Sequence, residues 1–430
     1  MGTSIYSIYI SLLMVAIGGA GCWALGGHHL VPNWYLYILP ILVTLVGAIC
    51  LFEDIRYHQD ESHPRRMLTI LEPFIEGWRM LWREKWILKL FGAIALINIV
   101  SGAADLAFKH AAFYPMPTWS GSMVEIFCYK IMNALPGAFV KSRMAMMKSG
   151  LGNTAIDGTL VVIIFLVIAH KHLSALAIEP EYAGRVKLVN AAFALVGVIS
   201  AAGLVCLFID WWSLLIHNSS GTYNMLTANI YSLCAYIIHT IVNAFMMAGL
   251  MGLLIRRHRG EEPSTPAFMR DSVSYFAPLA GVYLFIAALT YICLLGSHNH
   301  RLWPFIFEPI QFVLSGLMFF SIFSPIAVVV YNLGTLDALK RGTMDWIRHA
   351  TQVLPFLAVA SVIGILPWLL YTLPNLLWLW GSWGSLPMNI VNELVYMIIV
   401  AWGCLATWVF YTKKISPSEP EASVVEENPA

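Results

Sequence analysis

The amino-acid sequence predicts an all-α, polytopic helical membrane protein of about ten transmembrane helices, arranged as five hairpins with interfacial amphipathic helices on one side. Three observations predict it. Of the 430 residues 59% are apolar, and the mean hydropathy is +0.72. Fixed charge is confined to 25 Lys/Arg and 24 Asp/Glu, 11% of the chain against about 25% in a soluble domain. Apolar runs recur at about 20 residues, the length that crosses roughly 30 Å of hydrocarbon as helix. A formal net charge of +1 excludes a nucleic-acid-binding tail. No polar stretch is long enough to fold into a sizeable extramembrane catalytic domain.

The first apolar run, Ile5 to Ala24, has no basic segment before it and no clear cleavage site after it, so it reads as a retained span rather than a signal peptide. Ala16, Ala20 and Ala24 repeat every four residues along it, with Gly18 and Gly19 alongside. Such a smooth face admits another helix closely, either a partner's or the chain's own second span. That span, Tyr35 to Phe52, closes an N-terminal hairpin and inner loop over residues 1–60. Eight further segments follow: Ile87 to Leu106, Gly158 to Leu176, Leu188 to Ile209, Asn229 to Ile255, Ala277 to Gly296, Phe305 to Tyr331, Val353 to Tyr371 and Met388 to Phe410. The seven cysteines are widely spaced without a CxxC, and most fall inside these runs as small hydrophobes.

Met123 to Val140 is an eleventh candidate, interrupted by Glu125, Lys130, Asn133 and Pro136, and positive charge decides its place. If it does not span and the N-terminus is cytoplasmic, nineteen Lys/Arg fall inside and six outside, together the 25 of the chain. Letting it span exports the Arg256, Arg257, Arg259 cluster and the Lys340, Arg341 pair, against the positive-inside rule. The expectation is ten spans, both termini cytoplasmic, and Ala107 to Asp157 resting on the outer surface.

Before the third span, Glu72 to Lys85 sets Phe74, Trp78 and Trp82 at intervals of four, continued by Trp86, with Arg79 and Arg83 offset. An aromatic stripe on a basic helix suits the headgroup layer. The pattern returns at Pro266 to Tyr275 before the seventh span and at Leu336 to Arg348 before the ninth, with Glu179 to Lys187 a degraded copy before the fifth. Residues 65–412 thus read as four units of amphipathic helix plus hairpin. Residues 413–430, rich in Pro and Glu without aromatics after Lys414, read as a disordered cytoplasmic tail.

The unit in which "FIEGWRMLWREKW" or "LDALKRGTMDWIRHA" runs into "ILKLFGAIALI" or "VLPFLAVASVI" resembles the bacterial multi-pass superfamily containing the glycerophosphodiester phosphodiesterase membrane-anchor domain. The resemblance covers residues 65–412 as a pattern and rests on no diagnostic residue. The catalytic barrel beside that anchor in some relatives has no counterpart in this sequence. The resemblance implies a bacterial inner-membrane protein and transfers no site residues.

Phosphate-loop, zinc-helix, nucleophile-elbow and dinucleotide signatures are absent, and no cofactor is expected. What remains are polar residues at membrane depth, where a charge costs about 2.5–3.5 kcal/mol at a helix centre by insertion scales. Ser232, Tyr236, His239 and Asn243 share one face of the sixth span, as a proton or substrate path or as a seam of interhelical hydrogen bonds. Glu308 and Glu393 sit early in the eighth and tenth spans, as a facing carboxylate pair or as acids favoured by helix dipoles. His298 and His300 are a weak metal pair, lacking a nearby Cys or carboxylate. Trp380 and Trp383 in the last outer loop suit an interface belt, a partner or a lipid.

Absent motifs, absent soluble domains and repeated interfacial helices favour a non-enzymatic subunit or scaffold that binds membrane lipids or a membrane-protein partner. The alternative is a transporter of a lipid or hydrophobic solute using His239 and the two acids. An intramembrane lipid-modifying enzyme stands third.

Overall fold

The computed structural model describes residues 2–27, 38–56, 66–111, 151–217, 225–299, 313–314, 316–376 and 385–416. Among them there is no strand. The helices are α1 (Gly2–Gly27), α2 (Ile38–Arg56), α3 (Arg66–Arg83), α4 (Lys85–Ala111), α5 (Leu151–Ile164), α6 (His170–Leu176), α7 (Pro180–His217), α8 (Met225–His258), α9 (Thr265–Asn299), α10 (Ser324–Val330), α11 (Thr335–Arg348), α12 (Ala350–Leu376) and α13 (Ser385–Phe410). A π-helical stretch, Phe165–Ala169, joins α5 to α6, and another, Tyr411–Ile415, follows α13.

The described parts of all ten apolar segments are helical. Among the described residues five stretches are long and apolar enough to cross a membrane: Ala155–Leu176, Pro180–Val205, Leu233–His258, Thr265–Ile292 and Glu393–Ile415. The pair Thr335–Arg348 and Ala350–Gly364, bent by 95°, makes a sixth if taken as one span. Local chemistry sets the ends. Gly260, at φ 83°, closes α8 in a Schellman turn, in which the Glu261 amide donates to the Arg256 carbonyl at 3.0 Å. Pro325 opens α10 in its first turn, where its missing N–H costs nothing.

Helix boundaries correct four expectations. The amphipathic helix is Arg66–Arg83, not Glu72 to Lys85, and Trp86 belongs to the next helix. Its aromatics do not form one stripe: Phe74 is buried, stacked on Phe356 at 4.8 Å, while Trp78 and Trp82 flank the packed face. Pro266 to Tyr275 is no separate helix but the start of the 35-residue α9, and most of Glu179 to Lys187 opens the 38-residue α7. Helix α4 runs to Ala111 and α5 begins at Leu151, so both ends of Ala107 to Asp157 are helical and Asp157 lies inside a helix. Met123 to Val140 and the tail beyond Ser416 lie outside the described residues.

In the N-terminal hairpin the close face is Ser7, Ser11, Met14 and Gly18, all buried, against Gly47 and Asp54 of α2. A Cβ on Gly47 would meet the Ser11 carbonyl oxygen at 2.9 Å, so hydrogen-only side chains permit this approach. Ala16 and Ala20 point away and are exposed.

The segments expected on the inner side are tied together by ion pairs. Arg66 meets Glu53 at 2.6 Å, Arg257 meets Glu84 at 3.0 Å, and Lys413 and Lys414 meet Glu76 and Glu72 at 2.5 and 2.8 Å. Arg256 grips the buried Asp271 with two nitrogens, at 2.7 and 2.9 Å. Between α11 and the end of α13, buried Asp345 accepts from the Tyr411 hydroxyl at 2.6 Å and pairs with Arg341 at 3.1 Å. The Arg341 guanidinium also lies 4.6 Å over the Tyr331 ring, whose hydroxyl reaches Ser416 at 2.7 Å.

Candidate functional site

Two helices that run parallel frame a cavity. A Cβ on Gly158 of α5 would lie 3.3 Å from Ile238 of α8, and seven residues further along both helices Phe165 meets Phe245 edge-on at 5.8 Å. Glycine at 158 admits the Ser200 side chain of α7, which a Cβ there would strike, while Phe165, Phe193 and Phe245 fill the next level. The space enclosed with α4, α7, α9 and α13 measures about 240 Å³. At roughly 30 Å³ per water it holds the volume of about eight waters.

Its walls are apolar except for a few polar side chains. Asp157, His239 and Asn243 line it and are 5%, 8% and 4% exposed, joined by Asn98 and Tyr396. Asn98 is the middle residue of α4, and its amide donates to the Glu393 carboxylate of α13. Among the described lining residues there is no Lys or Arg. One side is open, because lining residues Ala93, Ile164 and Ile168 are exposed. The π-helical stretch forms this rim through Phe165, Ile168 and Ala169. Such bulges leave the i−4 hydrogen-bond ladder and recur at functional sites.

The structure divides the face expected on the sixth span. His239 and Asn243 reach the cavity, Tyr236 instead packs edge-on against Tyr291 of α9 at 5.8 Å, and the side chain of Ser232 lies outside the described residues. Glu393 is not in a first turn: it is the ninth residue of α13, about 12 Å along it, so the helix dipole does not explain it. Its hydrogen bond to Asn98 does. Glu308, His300, Trp380, Trp383 and the side chain of His298 lie outside the described residues, and no metal-binding cluster occurs among the described ones.

Sequence reasoning missed Asp157 and Asn98. Asp157 follows Gly152, Asn153 and Thr154, which read as loop, and Asn98 is a lone polar residue in an apolar run. The signal available for Asp157 was its place next to Gly158, at the head of an apolar segment.

Trp78 and Trp82 of α3 are 40% and 51% exposed and stand edge-on to each other at 5.5 Å. Trp78 also meets Trp402 at 5.2 Å, and Arg79 and Arg83 are exposed beside them. Trp86 is half-buried. Helix α3 is seated on α13 at Gly77, where a Cβ would lie 2.7 Å from the Ala406 backbone nitrogen. The Lys414 ammonium beside Glu72 holds its carboxyl below the ordinary value.

Comparison with family models, with curated proteins and with solved structures finds no match.

Proposed function

We propose that the chain is an integral membrane protein of ten spans that binds a lipid or hydrophobic solute in the cavity between α4, α5, α8 and α13, and moves or presents it. The observation that carries this reading is the pairing of four polar lining residues, Asp157, His239, Asn243 and Asn98, with apolar walls that open beside Ile164 and Ile168. The resemblance to bacterial multi-pass proteins and the nineteen to six charge split support an inner-membrane location with cytoplasmic termini.

The test is native mass spectrometry of the protein purified in mild detergent. A single retained lipid or hydrophobic molecule, lost when Ala169→Trp fills the cavity, supports the reading. A folded wild-type protein with nothing retained, and no binding when hydrophobic ligands are added back, sinks it.

A scaffold reading has its own support: Trp78 and Trp82 with Arg79 and Arg83 suit anionic headgroups or a partner, and Ala16 and Ala20 present an exposed small-residue face. Stoichiometric co-purification of another membrane protein, abolished by Ala20→Trp, favours it.

A further inference from the structure

Two segments mark the level at which the apolar bundle gives way to charge. Helix α8 carries its apolar run to Ile255 and then reads Arg256, Arg257, His258, while the amphipathic α3 ends at Arg83 and the apolar α4 opens at Lys85. The ion pair of Arg257 with Glu84 joins these two boundaries. The surroundings of Glu84 therefore lie at the edge of the hydrocarbon, where lipid headgroups stand. Glu84 is 5% exposed, and its Oε1 atom accepts from both Arg83 Nε at 3.2 Å and Arg257 Nε at 3.0 Å. Arg256, the residue before, is engaged differently, with all three guanidinium nitrogens on Asp271 and Glu261. Arg83 and Arg257 are each held through Nε, and among the described residues their terminal nitrogens meet no acceptor. Both residues are exposed, as is Lys85 beside them. Two arginines thus share one carboxylate, and the charge there is left positive. Trp82, directly before Arg83, is exposed as well, and an indole at that depth suits the headgroup layer.

We propose that Arg83 and Arg257, fastened side by side on Glu84, bind the phosphate of an anionic phospholipid headgroup. Because both reach one oxygen, their Nε atoms lie within about 6 Å of each other, close enough for one phosphate to bridge the two planar forks. The buried carboxylate positions the pair, and Lys85 adds to its field. A headgroup that carries its own ammonium would set a cation against these cations, so charge complementarity selects one that does not. None of Arg83, Glu84 and Arg257 is among the described lining of the cavity, so the site stands whatever the cavity holds. It gives the headgroup contact of the scaffold reading one named place.

Native mass spectrometry of the full-length protein in neutral detergent tests it, by titration with dioctanoyl phosphatidylglycerol, with dioctanoyl phosphatidylcholine, and with glycerol 3-phosphate as a competitor. The expected result is saturable binding of the anionic lipid, about tenfold tighter than the choline lipid and not displaced by equimolar glycerol phosphate. Arg83→Gln should remove that preference and leave phosphatidylcholine binding unchanged. Arg348→Gln, which removes an exposed arginine at the end of α11, should keep it, and so should the cavity-filling Ala169→Trp. Equal binding of the two lipids overturns the proposal, as does a full preference in Arg83→Gln. An equal loss in Arg83→Gln and Arg348→Gln would assign the preference to diffuse charge, and a loss in Ala169→Trp would put the anionic lipid in the cavity; either overturns the site. Displacement by glycerol phosphate overturns the lipid in favour of a soluble phosphate. The wild-type comparison of the two lipids decides the charge preference even if a variant fails to fold.

Discussion

Two buried aspartates sit in different surroundings. Asp345, 3% exposed, is met by Tyr411 at 2.6 Å and Arg341 at 3.1 Å, and Arg341 is itself seated on Tyr331. Asp157, 5% exposed, lies on the wall of a cavity whose described lining is mostly apolar. The first joins an amphipathic helix to the end of a span 66 residues away in sequence. The second borders space that opens at the side of the bundle. Burial alone therefore does not mark a functional acid in this protein; what surrounds the acid does. A carboxylate fastened by a cation and a hydroxyl holds the fold, and a carboxylate on a cavity wall borders the space a ligand would fill.

The contrast is open to attack by substitution. The largest effect is expected at Asp345. Asp345→Ala leaves Arg341 and the Tyr411 hydroxyl without their acceptor and should destabilise the protein by about 3 kcal/mol, read from chemical unfolding in detergent. A loss under about 1 kcal/mol breaks the comparison from the structural side. Next comes Gly77→Leu, which drives a side chain into the backbone of Ala406 and should unseat α3 at about 2 kcal/mol. Limited proteolysis between α2 and α3 should then accelerate, and an unchanged cleavage rate contradicts the packing described.

Trp78→Ala combined with Trp82→Ala should change stability by less than about 1 kcal/mol, since both rings are substantially exposed. The same pair should remove most of the tryptophan quenching by lipids brominated near the headgroup. Retained quenching would place the interfacial aromatics elsewhere. The smallest effect concerns acid. Glu72 has a depressed pKa in the folded protein, so its pairing with Lys414 contributes above the unfolded carboxyl range and is lost as pH falls through the folded value. Lowering the pH below 4.5 should therefore loosen α3 slightly, and Glu72→Gln should remove that part of the acid response. Because the pair is solvent-exposed, the difference should be small.

Helix positions were legible because twenty-residue apolar runs leave the backbone no alternative in hydrocarbon. The amphipathic character of α3 and α11 was legible from periodicity. Periodicity does not say which turn of a polar face is buried, and so Asp345 reads as a surface acid until Tyr411 is folded against it. The fusion of Pro266 to Tyr275 into α9 was hidden because a polar first turn and a separate interfacial helix have the same composition. His239 and Asn243 were found because their four-residue spacing falls on one face within an apolar run. Asp157 was not, because helix α5 begins in residues that favour turns, and Asn98 gains its meaning only from Glu393, 295 residues away.

The most direct measurement of the division of labour is thermal unfolding of the wild type, Asp345→Asn and the cavity-filling Ala169→Trp in neutral nanodiscs, each with and without saturating decyl glucoside, a neutral amphiphile. A ligand present at 100 times its Kd stabilises the state it binds by about 2.7 kcal/mol. The account predicts that Asp345→Asn melts lower than the wild type but keeps the full ligand-induced rise, while Ala169→Trp shows almost none. The opposite assignment, with the ligand response lost at Asp345→Asn and kept at Ala169→Trp, would contradict it.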